Sequence, residues 1–280
     1  MTLPGGGARK GMVLLNVLIV VAISAAAVTV MIVAQDIQVR RTIRLHDAAQ
    51  AQSYARAGEL SAITALRRDA LTAPDVDLAT EPWAQIGQTA VAIPNGGFAL
   101  SIADEQSRFN VNALVKGEPI PAGALLEIAR LAGVSRETVS AIELALSVLG
   151  PLRDDAPLRA AGVDPAELDR LAPYVVYLPP EAKLNVNTAD PALLEMVLRD
   201  PAAVHRVLVR RTQGGLTSQE ATGLGAGGLF GASSSHFRVT TDVRVGDVRR
   251  LTVSRVSRSE DASGRPRVTV TARRRLTPPS

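Results

Sequence analysis

The sequence predicts an α+β fold: a long N-terminal helix is followed by an antiparallel sheet that a large all-α domain interrupts. Three observations support this prediction. Residues 12–34 form one apolar run that helical sequence continues. Segments with alternating apolar and polar residues lie on both sides of residues 112–228. That middle stretch consists of short helical patterns separated by proline and glycine, which indicates an inserted helical module.

The apolar run predicts a transmembrane helix at residues 12–34. It holds 23 residues without a charge, and its clearly polar members are Asn16, Ser24 and Thr29. At about 1.5 Å per residue, a helix of this length crosses a bilayer. A purely soluble protein is therefore not expected.

Helical sequence continues beyond the membrane run and predicts a stalk. The first proline after the run is Pro74, and apolar side chains recur at roughly helical spacing up to Arg67. They are Ile43, Tyr54, Ala57, Leu60, Ile63 and Leu66. We expect residues 35–111 to hold this stalk and the first strands of the sheet.

Strand patterns lie on both sides of the middle stretch. Residues 89–93 and 98–102 are joined by the turn sequence PNGG, which predicts a hairpin. In the last segment, 229–280, alternation over residues 237–245 leads into the two-residue turn of Gly246 and Asp247. Alternation continues on the return, and Val268 and Val270 mark a third strand.

Composition excludes several classes of function. The chain has no cysteine, so thiol catalysis, disulfides and thiolate metal sites are absent. Beyond residue 34 the chain has 29 basic and 27 acidic side chains, a balance that does not indicate a polyanionic partner.

The eleven residues before the apolar run resemble the leader of the type IV pilin family. This leader, MTLPGGGARKG, is short and polar and ends in Arg9, Lys10 and Gly11. The resemblance implies that a prepilin peptidase cuts between Gly11 and Met12, that the new N-terminus is methylated, and that the membrane helix is retained. An ordinary single-pass anchor is the alternative. The positive-inside rule does not decide the orientation, because arginines at 40, 41 and 44 follow the span.

Asn16 would be the fifth residue of the processed chain. Most pilins have a glutamate there, and its carboxylate neutralises the terminal amine of a neighbouring subunit in the apolar filament core. A neutral amide costs less than a charge when it has no partner, which fits a subunit at a filament tip. The alternative is that Asn16 is a polar residue tolerated in a membrane helix.

Three further motifs resemble the K-type minor pseudopilins of type II secretion systems. They are DEQSRFNVN at 104–112, LNVNTA at 184–189 and SSHFRV at 234–239. The resemblance implies a pilin-like sheet with a helical insertion, in a subunit that initiates or caps the pseudopilus at its tip and supports protein export across the outer membrane. It implies a single pass through the bacterial inner membrane, with the C-terminal domain in the periplasm. Implied partners are the I-type and J-type minor pseudopilins, the major pseudopilin, the prepilin peptidase and the inner-membrane assembly platform.

Calcium is bound by several proteins of this kind, so the resemblance also allows a calcium ion. No local cluster of three or more carboxylates appears in the loops of the sequence. The metal ligands therefore remain unassigned.

No catalytic constellation emerges from the sequence. Asp104 and Glu105 are adjacent, so on a strand they point to opposite faces, and Asp104 is expected to bond turn amides. The histidines at 46, 205 and 236 are far apart and lack a zinc spacing. The glycines at 223, 225 and 228 match GxGxxG, but neither a strand nor a clear helix flanks them.

A DNA-uptake pilin is the alternative function. LNVNTAD at 184–190 resembles the start of the helix-hairpin-helix modules of competence proteins. In those modules a glycine-containing hairpin presents amides to a phosphate, whereas here the connection at 198–201 is LRDP. The missing glycines and the aspartate weaken nucleic-acid binding.

Overall fold

A single long helix, α1 (Gly7–Thr72), begins the computed structural model, which describes residues 7–87, 90–225 and 228–277. Its 66 residues correspond to roughly 100 Å. The described side chains from Val13 to His46 are all exposed, so this part projects from the head. The helix passes the predicted end at Arg67 and stops two residues before Pro74, which cannot continue the backbone hydrogen-bond pattern.

The upper part of α1 packs on the sheet through small side chains. Ala51, Ala55, Ala62 and Leu66 are buried at helical spacing, and a Cβ added to Gly58 would lie 2.6 Å from the Phe98 ring. Small residues on this face let the helix backbone approach the sheet closely. Of the apolar residues whose spacing predicted the stalk helix, Ile43, Ala57 and Leu60 are exposed.

The predicted first hairpin is confirmed. It consists of β1 (Val91–Ile93) and β2 (Gly96–Asp104), and Asn95 in its turn adopts a positive φ of 60°. Residue 89, where the first strand was predicted to begin, lies outside the described residues.

The insertion follows β2 and has its own core. Its helices are α2 (Pro119–Leu131), α3 (Arg136–Leu149), α4 (Ala156–Ala160), α5 (Pro165–Leu171), α6 (Pro191–Leu198), α7 (Pro201–Arg211) and α8 (Ser218–Thr222). Two 3₁₀ turns precede α2, at Glu105–Ser107 and Val111–Lys116. One cluster of buried apolar residues extends from Phe109 to Ala232, a few residues beyond the predicted domain limits of 112 and 228.

Short strands also occur within the otherwise helical insertion. They are β3 (Phe109–Asn110), β4 (Val175–Val176), β5 (Leu184–Asn185) and β6 (Phe230–Gly231). β3 pairs with β4 and β5 with β6, both in parallel. Strands of two residues give no recognisable alternation, so the sequence pattern showed only the helices.

Three long strands complete the sheet: β7 (His236–Val245), β8 (Val248–Glu260) and β9 (Pro266–Leu276). The strand order is β1-β2-β7-β8-β9, and each described pairing is antiparallel. β2 pairs directly with β7, so that Ile102 lies opposite Val239, although the insertion separates them in sequence. The prediction of one sheet interrupted by a helical module is confirmed.

Candidate functional site

The apolar half of α1 packs against no other described part of the chain. Between Leu15 and Thr72, one 18-residue window has a mean hydropathy of 2.9 and none of it is buried. By length and composition, this helix can cross a membrane. An apolar rod of this kind requires either lipid or other apolar helices around it.

The three residues predicted for processing and assembly lie along this rod. Asn16 is exposed on α1. Gly11 and Met12 belong to the same helix, which begins at Gly7 and has no break between them. The side chain of Met12 lies outside the described set.

A network of buried polar groups joins the insertion to the sheet, and we call this junction the neck. At its centre is Asp104, the last residue of β2, which is 7% exposed. Its Oδ1 accepts from the Gln106 amide at 2.7 Å, as the sequence predicted for a turn-bonding aspartate. Its Oδ2 accepts from Thr188 Oγ1 at 2.5 Å, Ser234 Oγ at 2.7 Å and Asn185 Nδ2 at 3.2 Å. The Asp104 carboxylate thus connects β2 with two segments of the insertion. Asn185 and Thr188 lie at and just after β5, and Ser234 lies just after β6.

The asparagines of the two NVN motifs bond distant loops. Asn112 Nδ2 donates to the carbonyls of Leu152 and Leu178, both at 2.7 Å, and its Oδ1 accepts from the Leu152 amide. Asn187 makes the equivalent pair of bonds to Leu216, at 2.9 and 2.8 Å. Asn110 and Asn185 each accept the amide two residues ahead, from Asn112 and Asn187. The motifs are therefore structural clamps that satisfy buried backbone groups.

Arg258 on β8 is the cationic member of the neck. It donates to Asp69 Oδ2 at 2.8 Å, to Asp77 Oδ2 and to the Ser234 carbonyl at 2.6 Å. Its guanidinium also lies 5.1 Å from the centre of the Phe237 ring. Its side chain is 9% exposed, so these ion pairs lie largely out of water.

Three carboxylates converge beside Arg258. Asp69 lies near the end of α1, and Asp77 and Glu81 lie in the following loop; one oxygen from each is within 4.8 Å of the others. The Glu81 Oε2 atom accepts from the Leu78 amide and from Trp83 Nε1, both at 2.8 Å. The sequence contains no local signal for this cluster, because the chain reversal after Thr72 assembles it.

This cluster fits a hard cation such as calcium. Asp77 is fully buried, and its Oδ1 has no hydrogen-bond partner among the described atoms. One guanidinium faces three carboxylates, which leaves excess negative charge in a poorly hydrated site. Carboxylate oxygen is the ligand type that calcium takes. Among the described residues, this group is the one in which three potential metal ligands meet.

Burial changes the acidity of two carboxyls in this region. Desolvation raises the pKa of Asp104 to about 6, although its hydrogen bonds to Thr188 and Ser234 oppose the shift. Desolvation and the neighbouring Glu81 and Asp77 charges raise the pKa of Asp69 to about 7.

The connection between α6 and α7 does not resemble a phosphate-binding hairpin. Arg199 adopts a positive φ of 54° where a glycine was expected for DNA binding. Asp200 Oδ1 accepts from the Ala202 amide at 2.9 Å and thereby caps α7. A carboxylate therefore occupies the helix N-terminus that would otherwise attract a phosphate.

The remaining candidates for chemistry are dispersed. His46 and His205 are exposed on α1 and α7, whereas the half-buried His236 lies 3.0 Å from Ser235 Oγ. Gly223 follows the five-residue α8, and residues 226–227 of the glycine stretch lie outside the described part.

Comparison with known proteins gives a consistent result. No protein-family model matches the chain. A Type II secretion system protein K from Pseudomonas aeruginosa is 28% identical in an alignment 300 positions long, which covers 90% of this chain and 90% of the relative. The protein of the same name from Klebsiella pneumoniae is 28% identical over 220 residues, 65% of this chain and 67% of the relative.

A solved structure supports the fold. It is described as the crystal structure of the GspK-GspI-GspJ complex from the type 2 secretion system of enterotoxigenic Escherichia coli. The matched chain has a TM-score of 0.66 and 20% identity, with 85% of this chain and 100% of that chain covered. The likeness confirms the predicted fold class, with its long helix, antiparallel sheet and inserted helices.

The raised pKa of Asp104 predicts a specific pH dependence of stability. Because the folded carboxyl has a higher pKa than the unfolded one, the folded state binds more protons between pH 4 and 6, and stability falls as the pH rises through this range. Between pH 4 and pH 7, the wild-type protein should lose about 2 kcal/mol more unfolding free energy than Asp104→Asn, because the variant has no carboxyl at position 104 to titrate. Urea unfolding of the soluble portion at both pH values measures this difference.

Asp75→Asn is the matched control, because Asp75 is an exposed aspartate in the loop that follows α1. Its unfolding free energy should follow the wild-type pH profile. A pH profile of Asp104→Asn that is parallel to the wild type would contradict the assignment of a buried, proton-binding Asp104.

Proposed function

We propose that this chain, a homologue of the type II secretion system K proteins, is a minor pseudopilin at the tip of the pseudopilus. The homology over 90% of both chains supports this function. The observation that carries it is the shape of the molecule, in which an exposed apolar helix continues into a stalk and supports a head with a large insertion. In this role the chain initiates or caps pseudopilus assembly and supports export across the outer membrane.

The apolar helix performs two tasks in this proposal. It anchors the chain in the bacterial inner membrane with the head in the periplasm, and it then packs against the helices of other pilins. The same exposed surface serves in both surroundings because lipid tails and apolar side chains solvate it similarly. No covalent chemistry is required of the chain, so the proposed role is non-enzymatic.

Asn16 sets this subunit apart within a filament. A carboxylate at this position requires a cationic partner in the apolar filament core, whereas the neutral amide does not. We therefore assign Asn16 to helix assembly at the end of the filament, where no subunit above presents its terminal amine. Gly11 and Met12 are assigned to processing by the prepilin peptidase.

The neck gives the insertion its role in capping. The Asp104 network fixes the insertion on the sheet, and two ion pairs add to it: Arg255 Nε lies 3.3 Å from Glu105 Oε2, and Arg274 lies 2.9 Å from Asp154. A bulky module held in one orientation leaves no space for another subunit above. Asp69, Asp77 and Glu81 would hold a calcium ion, whose charge would stabilise the loop beside the neck.

The proposed partners follow from the comparison. The GspK-GspI-GspJ complex contains a structural counterpart of this chain, which supports I-type and J-type minor pseudopilins as its neighbours. The major pseudopilin, the prepilin peptidase and the inner-membrane assembly platform complete the proposed set.

Complex formation tests the proposed function. The soluble portion should co-elute with the I-type and J-type proteins of its own organism as one ternary species in size-exclusion chromatography. The head of the major pseudopilin in place of the J-type protein provides the comparison and should not reproduce this species. Strictly monomeric behaviour with both minor partners present would contradict the proposal.

The processing assignment makes a separate prediction. Mass spectrometry of the native protein should find a chain that begins at N-methylated Met12. Gly11→Leu should block cleavage and leave the unprocessed chain in the membrane, because the peptidase must fit the residue before the cut. A native chain that retains its first eleven residues would refute the assignment.

A further inference from the structure

We propose that Arg40, Arg41 and Arg44 bind anionic phospholipid headgroups at the membrane surface next to the apolar span. We call these three residues the basic stalk face. The inference rests on the membrane anchoring contained in the proposed function and adds a lipid partner to it.

The basic stalk face lies just outside the headgroup region, within reach of long side chains. Arg40 is six residues beyond Ala34, the end of the predicted span, and Arg44 is ten residues beyond it; these separations correspond to about 9 and 15 Å. Headgroups extend roughly 5–8 Å beyond the hydrocarbon on each side. Long arginine side chains bend toward a polar interface while their stems lie along the helix, so these guanidinium groups can reach the phosphates.

The three arginines lie together on one side of α1. Arg40 and Arg44 precede Asp47 and Ala51 by seven residues each, and Arg41 is three residues before Arg44, so all three point to the side that packs on the sheet higher up. The lower rim of the head lies at Asp47, where a Cβ added to Gly246 would be 2.6 Å from Oδ2. This rim is about 20 Å beyond Ala34. The basic stalk face therefore points into the space between the head and the membrane.

These charges are not neutralised within the described protein. Arg40 pairs with Asp36 at 2.8 Å, but both side chains are more than half exposed and the pair is weak. Arg41 and Arg44 have no hydrogen bond or ion pair to a described residue, and every side chain from 35 to 46 is exposed. A guanidinium binds phosphate through paired hydrogen bonds, which makes lipid phosphate a fitting counter-charge.

A lipid is favoured over an acidic protein as the partner. Phosphates surround the stored helix directly below this face on all sides, whereas another pilin would meet the face only after the span had left the bilayer. In the proposed orientation the basic stalk face lies at the periplasmic end of the span, whereas basic residues are usually more frequent at the cytoplasmic end. Contact with headgroups compensates for this unfavourable placement.

Lipid binding to the full chain in a neutral detergent tests the inference. Native mass spectrometry should show tighter binding of phosphatidylglycerol than of phosphatidylcholine at low salt. The combined substitution Arg40→Gln, Arg41→Gln and Arg44→Gln should weaken phosphatidylglycerol binding about 30-fold, from about fivefold for each of the two unpaired arginines and a small effect of Arg40. Phosphatidylcholine binding should change much less, because its choline cation offsets the phosphate charge.

Two control variants separate this face from other basic groups. Arg56, Arg67 and Arg68 are exposed higher on α1, and their combined change to Gln should preserve the preference for phosphatidylglycerol. In the unprocessed chain, expressed without prepilin peptidase so that the leader is retained, Arg9→Gln with Lys10→Gln at the other end of the span should also preserve most of it. Equal wild-type affinity for the two lipids would overturn the inference, and so would a loss as large in the Arg9 and Lys10 variant.

The outcomes also distinguish this inference from the proposed function. If the triple variant binds phosphatidylglycerol normally but loses an acidic partner protein, the face binds protein and the lipid proposal is wrong. Lipid preference without a ternary complex of the soluble portion would support the inference and contradict the tip assignment. A ternary complex without lipid preference would support the tip assignment and contradict the lipid inference.

Discussion

The hydrogen bonds of Asp104 are the interaction on which the shape of the head depends. The apolar cluster of the insertion and those of the sheet share no buried residue, so hydrophobic packing alone does not fix one on the other. Asp104, Asn185, Ser234 and Arg258 connect them through charged and polar bonds instead. Such bonds are directional and costly to leave unsatisfied, and they therefore set the orientation of the insertion.

The sequence predicted the elements whose burial has a clear period. Alternation over residues 237–245 identified a long strand because one of its faces is buried. Strand patterns on both sides of the helical stretch predicted a single interrupted sheet, and the structure joins its two parts by pairing β2 with β7. The contact face of α1 was less predictable, since it consists mainly of alanine and glycine with Leu66, while the equally large Leu60 is exposed. Asp69, Asp77 and Glu81 could not be grouped from sequence because they meet only when the chain reverses direction.

Stalk and head divide the physical work of the molecule. The described side chains in the lower half of α1 are mostly apolar and all exposed, and the basic stalk face lies between the span and the head. Above Asp47 the same side of the helix is covered by the sheet. Under the proposed function and the proposed lipid contact, one helix face would meet lipid, then phosphate, then protein along its length, as a subunit stored in a membrane and then extracted into a filament requires.

A distance measurement across the neck tests most directly whether its polar bonds fix the insertion on the sheet. Nitroxide labels at Ser53→Cys on α1 and Ser140→Cys on α3 occupy exposed sites in a chain without native cysteine. Double electron–electron resonance should give one narrow distance distribution, and adding Asp104→Ala should broaden it while circular dichroism shows the secondary structure retained. A broad distribution with Asp104 intact would contradict a rigid neck and the capping role that depends on it.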